Sequence, residues 1–220
     1  MIQDALKLSL LVVSVATVII ALAGTALGFL LARGRFWGKE LLDATLTLPM
    51  VLPPTVTGYY LILLLGRRGW LGAPLYALTG WSVTFTWIAA VVASTVVAIP
   101  LMIKSARAAL ESVNPDYETA SRVMGKGEWE TFFRVTLPLA GKGILAGVIL
   151  SFARAFGEFG ATMMLAGNIR GKTQTMPLAI YEAMAAGEDA QATWLALVLT
   201  GISITVVYIT NRLARPVGGR

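Results

Sequence analysis

The chain has 220 residues, a length that suits one domain or at most two. Hydrophobic residues make up 56% and charged residues 14%, against about 25% charged in soluble domains. A protein this small could not bury so much apolar surface in water, so a soluble globular domain is excluded. Cys and His are absent, which removes disulfides, thiolate nucleophiles, zinc sites and imidazole acid–base chemistry together.

A helix needs roughly 20 apolar residues to cross about 30 Å of hydrocarbon. Residues 8–32 carry no charge and predict the first span. Lys7 ahead of the run and Ala21-Leu22-Ala23 within it imitate a secretory signal. The run nevertheless continues to Ala32 and meets Arg33, Arg35 and Lys39, so a retained helix is expected. The second span, 46–66, contains Pro49, Pro53 and Pro54. Each proline removes a helix hydrogen bond. One reading is a kink or a helix start near Pro54. The other is a break beside a translocation path, since irregular backbone at membrane depth must be buried in protein or line a cavity.

Gly69, Gly72, Pro74 and Gly80 predict a loop, followed by a third span at 83–103. The fourth span, 143–165, is interrupted by Arg154 and Glu158, and the fifth is 190–211. The expected fold is therefore an all-α integral membrane protein with five transmembrane helices in a single domain over 8–214. Lys and Arg distribute unevenly between its two sides. Segments 33–43, 104–142 and 212–220 hold Arg33, Arg35, Lys39, Lys104, Arg107, Arg122, Lys126, Arg134, Lys142, Arg212, Arg215 and Arg220. The other side holds Lys7, Arg67, Arg68, Arg170 and Lys172. The positive-inside rule then puts the N-terminus outside and the C-terminus in the cytoplasm. Topology accounts for the net charge of +6, and the dispersed basic residues argue against a nucleic-acid partner.

The polar loop 104–142 is patterned. Asn114 can cap a helix that begins at Pro115, with Asp116 and Glu118 in its first turn. Gly125-Lys126-Gly127 ends that helix. A second amphipathic piece carries Trp129, Phe132 and Phe133 at helical spacing and is closed by Pro138. Two short helices at an angle make a rigid docking knob; an interfacial helix on lipid is the alternative.

Thr119-Ala120-Ser121, three residues, Gly125, nine residues, then Val135-x-Leu137-Pro138 resembles the cytoplasmic Glu-Ala-Ala loop of ABC-importer permeases. Thr119 stands where that pattern has Glu, and Glu118 lies one place earlier. Ser121 replaces the second Ala and Val135 replaces Ile, while Gly125, Leu137 and Pro138 fit. Leu48-Pro49-Met50-Val51-Leu52-Pro53-Pro54-Thr55-Val56-x-Gly58-Tyr59, Gly66-Arg67-Arg68-Gly69 and the stretch from Ser151 to Thr162 look like molybdate-importer permeases. Sulfate permeases share much of the last stretch. The resemblance covers about Leu8 to Ala214 and implies a type I ABC importer permease in the bilayer. It further implies a homodimer, two cytoplasmic ATP-binding subunits and an external solute-binding protein. Residues 118–121, 125, 137 and 138 would form the ATPase-coupling loop.

Ala166-Gly167-Asn168-Ile169-Arg170-Gly171-Lys172-Thr173 fits a loose Walker A pattern. A P-loop needs a strand before it, and here a membrane helix precedes it, so a solvated external loop is expected. Arg154 and Glu158 are four apart, hence on one helix face. They form a structural ion pair or, with Pro53 and Pro54, line an anion path. Nothing calls for a cofactor, a metal or a catalytic group. An ion-coupled secondary transporter would carry more intramembrane acids and symmetric repeats. An intramembrane enzyme lacks any nucleophile–base arrangement.

Overall fold

The computed structural model describes residues 2–214, which are helical nearly throughout with no strand among them. Arg215 and Arg220, counted toward the basic side, lie outside the described residues. α1 (Ile2–Arg33) is followed by α2 (Lys39–Val51), α3 (Pro54–Leu65), α4 (Gly72–Thr79) and α5 (Trp87–Glu111). α6 (Pro115–Val123) and α7 (Glu128–Thr131) come next. A π turn (Phe132–Thr136) then leads into α8 (Leu137–Phe156). α9 (Gly160–Ala166), α10 (Met176–Ala185) and α11 (Asp189–Ala214) complete the chain.

Four helices among the described residues are long and apolar enough to cross a membrane: Gln3–Arg33, Trp87–Glu111, Glu128–Phe156 and Asp189–Ile209. The fifth expected span is the pair α2 and α3, bent by 118° at residues 52–53. Three expectations change. Residues 69–80 are not all loop, because α4 forms with Pro74 in its first turn, where the missing N–H has no helical partner to lose. The expected span 143–165 is two helices, α8 and α9, separated by Gly157-Glu158-Phe159. Pro138 does not close the second amphipathic piece. It lies in the first turn of α8, and the π turn before it lets the Leu137 N–H reach the Phe132 carbonyl five residues back. The chain therefore runs helically from Glu128 to Phe156.

α5 is the centre of the bundle, flanked by α1 on one side and α8 on the other. Small residues make this approach possible. A Cβ at Gly28 of α1 would stand 2.7 Å from Ala106 Cβ, and one at Gly147 of α8 would stand 2.7 Å from Ser105 Cβ. Val13, Ala16 and Ile20 of α1 join Ala93, Val97, Ala98 and Met102 of α5 in the main core. α11 packs against α10 and leaves Trp194, Leu197, Ile204 and Tyr208 exposed, as a lipid-facing helix would. At one end of the bundle, Ser9 Oγ accepts from the Met176 N–H at 2.7 Å, joining α10 to α1. At the other end lie Arg33, Leu110 and α6.

Candidate functional site

The knob between α5 and α8 is narrower than the polar loop 104–142. α5 runs on to Glu111 and α8 starts at Leu137, so each takes polar residues into a long helix. Asn114 Oδ1 accepts from the Asp116 N–H at 2.9 Å, capping α6 as the sequence predicts. Just past α6 stands Gly125, whose φ of +80° is a left-handed conformation open to glycine at little cost. There the Gly125 N–H donates to the Arg122 carbonyl at 2.9 Å and the Lys126 N–H to the Ser121 carbonyl at 3.2 Å. The Ser121 and Thr131 hydroxyls meet at 2.9 Å in a buried bond that fastens α6 to α7.

Glu118 and Thr119, adjacent in sequence, point to opposite sides. Thr119 and Ala120 are exposed, while Glu118 is buried. Arg33 Nη2 donates to Glu118 Oε1 at 2.5 Å, and Thr136 Oγ1 donates to the same oxygen at 2.9 Å. Arg33 Nη2 also reaches the Leu110 carbonyl at 3.3 Å. Phe29 and Phe132 pack with ring centroids 4.6 Å apart beside this junction. The displaced acid of the loop motif is thus an internal anchor that joins α6 to α1 and the π turn. Arg33 and Thr136 are site residues that motif reading passed over, because nothing local marks a contact 85 residues away.

The tip of the knob presents two exposed apolar side chains among charged neighbours. Val123 is 84% and Met124 78% exposed. Tyr117, Ala120, Met124 and Val135 line a cavity of about 300 Å³ beside them, with Lys126, Glu130 and Arg134 also at its wall. Of the predicted aromatic trio, Phe132 turns into the bundle, whereas Trp129 and Phe133 stack on the exposed side with centroids 6.4 Å apart. Leu137 and Pro138 supply the entry into α8 and do not reach this surface from α6.

The two broken helices meet. Leu52 and Pro53 are extended, and α3 starts with Pro54 at its first position. A Cβ at Gly160 would lie 3.0 Å from Pro54 Cβ, and one at Gly58 would lie 2.9 Å from Ala161 Cα. A helix starts at Pro54, as the first alternative has it, and this start packs against Gly160 of α9, while Pro53 in the break itself is exposed. Arg154 and Glu158 do not share one helix, since α8 ends at Phe156. They pair across the break, Arg154 Nη1 to Glu158 Oε2 at 2.8 Å. Glu158 Oε1 accepts from the Ala161 N–H at 2.8 Å and caps α9. Glu158 is buried, and the Arg154 side chain stays about one third exposed. Thr57 of α3 and Thr162 of α9 are buried with hydroxyls that meet no partner among the described residues.

The loop 166–173 is closed on itself. The Lys172, Thr173 and Gln174 N–H groups all donate to the Ile169 carbonyl, and Thr173 Oγ1 accepts from the Ile169 N–H at 3.0 Å. Those amides are unavailable to a phosphate, and the segment before them is the helix α9. Glu182 of α10 accepts from Asn168 Nδ2 at 2.9 Å, from Arg170 Nε at 2.7 Å and from Gln174 Nε2. The Arg170 hydrogen bond, the largest influence, holds the Glu182 carboxyl below the usual glutamate range against the opposing effect of burial.

A family model described as "binding-protein-dependent transport system inner membrane component" matches residues 24–217. The molybdenum transport system permease protein ModB of Escherichia coli (strain K12) is 42% identical over 213 residues, 96% of this chain and 93% of that one. The sulfate transport system permease protein CysW of Synechococcus elongatus is 38% identical, over 98% of this chain and 75% of that one. Among solved structures, a bacterial alginate ABC transporter bound to its periplasmic protein shares the fold at TM-score 0.79 and 16% identity. That match covers 96% of this chain and 77% of the other. The inward-facing MetNI methionine transporter aligns at TM-score 0.72 and 16% identity over 99% and 94%. This chain belongs to the family of binding-protein-dependent transport system inner-membrane components.

Proposed function

We propose that the chain is the permease subunit of an ATP-driven importer that moves molybdate inward by alternating access. Two copies would pair in the membrane, with two cytoplasmic ATP-binding subunits below and a solute-binding protein outside. The observation that carries this reading is the knob: a capped, glycine-terminated helix anchored inward by Glu118 and presenting Val123 and Met124 outward. Such a rigid apolar tip suits a cleft in a soluble partner. Residues 118–121 and 125 then form the coupling element, with 137 and 138 leading its motion into α8. Substrate identity rests on the relatives' names and on the 42% identity to ModB. The CysW relative supports sulfate as the second reading.

The path would pass the two breaks, one at Pro53 and Pro54 and the other at Arg154 and Glu158, which are linked where Pro54 meets Gly160. Arg154 keeps part of its guanidinium accessible while Glu158 compensates it, which suits an anion that must bind weakly enough to leave. The chain itself would contribute no covalent chemistry. The direct test is uptake of radiolabelled molybdate by proteoliposomes holding the permease, its ATPase and its binding protein, with sulfate and tungstate as competitors. Uptake that needs ATP and is outcompeted by molybdate alone supports the reading, and uptake indifferent to ATP removes it. Orientation is tested by single cysteines in this cysteine-free chain. Thr79→Cys and Lys172→Cys should react with an impermeant maleimide from outside, and Glu128→Cys only after permeabilisation.

A further inference from the structure

Arg33 lies outside every motif of the coupling loop, yet it is the side chain on which the knob is hung. Its Nη2 serves two acceptors on two different elements, Glu118 Oε1 of α6 at 2.5 Å and the Leu110 carbonyl of α5 at 3.3 Å. Glu118 in turn takes the Thr136 hydroxyl from the π turn that opens α8. Four elements, α1, α5, α6 and the start of α8, therefore share one charged junction. α1, α5 and α8 are also the three helices packed most closely in the bundle, through Gly24 and Gly28 on one side of α5 and Gly143 and Gly147 on the other. Arg35, Arg122 and Glu128 line the same cavity of about 470 Å³, and among the described residues none of them forms an ion pair with Glu118 or Arg33.

We infer that Arg33 is a positioning residue for energy coupling, the link through which displacement of α6 is passed to α1 and α5 together. A force on the exposed tip at Val123 and Met124 acts on α6, which is held to its own loop by Asn114 and Gly125. α6 is held to the bundle through Glu118. Short, charge-assisted hydrogen bonds are directional and stiff, so α6 cannot shift far without drawing Arg33 and the ends of α1 and α5 with it. Chains of packed and hydrogen-bonded side chains carry coupling of this kind between two sites. Among the described residues, Arg33–Glu118 is the ion pair that joins α6 to a membrane-spanning helix. Thr136 ties the same carboxylate to α8, so the three core helices move as one unit.

This inference rests on the coupling-loop reading, and the experiment separates the two. Arg33→Met, Glu118→Gln and Val123→Asp are each assembled with the ATPase and the binding protein in proteoliposomes. ATPase retention, ATP hydrolysis and radiolabelled molybdate uptake are measured on the same samples. Arg33→Met should retain the ATPase and hydrolyse ATP while molybdate uptake per ATP falls by roughly tenfold. Should Arg33→Met fail to assemble, Glu118→Gln decides, because it keeps shape and acceptor oxygen while removing the charge. Its uptake per ATP should fall in the same direction by a smaller factor. A ratio within about twofold of the parent in whichever variant assembles overturns the inference. Reversing the pair, Arg33→Glu with Glu118→Arg, should recover part of the ratio that either single substitution loses. Val123→Asp tests the underlying reading alone. If it holds the ATPase as firmly as the parent chain, the knob is not the docking element.

Discussion

Glu118 and Glu158 are both buried acids paired with an arginine, and they do different work. Glu118 meets partners that are distant in sequence, Arg33 85 residues before it and Thr136 18 residues after it. Glu158 meets partners within one turn on either side, Arg154 and the Ala161 N–H. The first carboxylate joins helices to one another. The second shapes a single break, ending α8 beside Arg154 and starting α9 at its own cap. A buried acid with long-range partners thus reports on how elements move relative to one another, whereas one with short-range partners reports on the backbone path itself.

The largest effect expected is at Glu118. Glu118→Leu leaves Arg33 and Thr136 without their acceptor and should lower stability by about 1.5–3 kcal/mol, the range for bonds to charged groups. Thermal unfolding of the detergent-solubilised chain would show it. An unchanged midpoint would mean the junction is not held together by this carboxylate. At Glu158 the loss should be smaller. Glu158→Leu removes one helix cap and one partly exposed ion pair, about 1–2 kcal/mol. Glu158→Gln keeps an acceptor for the Ala161 N–H and should cost about half of that. Transport then sharpens the comparison. If Arg154 only neutralises Glu158, the double variant Arg154→Met with Glu158→Gln should assemble and carry molybdate normally. If Arg154 draws the anion, that variant should assemble and transport poorly.

Glu182 supplies the smallest effect, as the most exposed of the three acids. Its pKa is lowered in the folded chain, chiefly by the Arg170 hydrogen bond. The stability it contributes is therefore complete above the ordinary glutamate value of about 4.3 and is lost as pH falls through the lower folded value. Once intrinsic exchange rates are divided out, the protection of amides at residues 168–174 should fall as the pH drops below the usual glutamate range in the parent chain and show no such step in Glu182→Gln. An identical pH profile in both would show that the carboxylate does not hold this loop.

Much of the fold was legible because its causes are local. The uncharged runs behind α1, α5 and α11, Asn114 before Pro115, and Gly125 just past α6 each act within a few residues and match helices or turns of the structure. The break near Pro53 was legible for the same reason, since a missing N–H acts on its own turn. The second break was half-read. Arg154 and Glu158 were paired correctly by spacing, but the helix between them ends at Phe156 because Glu158 spends its other oxygen on the Ala161 amide. The reading of Pro138 as a terminator failed because a π turn shifts the hydrogen-bond register ahead of it.

The sequence by itself determined that this chain lives in a membrane, how many apolar segments it brings there, and that a capped knob interrupts them. It also placed the chain beside importer permeases through motifs whose residues stand close together. Only the tertiary structure decided what the displaced Glu118 does, that Arg33 is its partner, and that α3 and α9, the helices that follow the two breaks, pack against each other through Gly58 and Gly160. The physical reason is range. Helix propensity, capping and hydropathy are set by neighbours along the chain, whereas a carboxylate's partner and a glycine's close contact are set by which helices the bundle brings side by side.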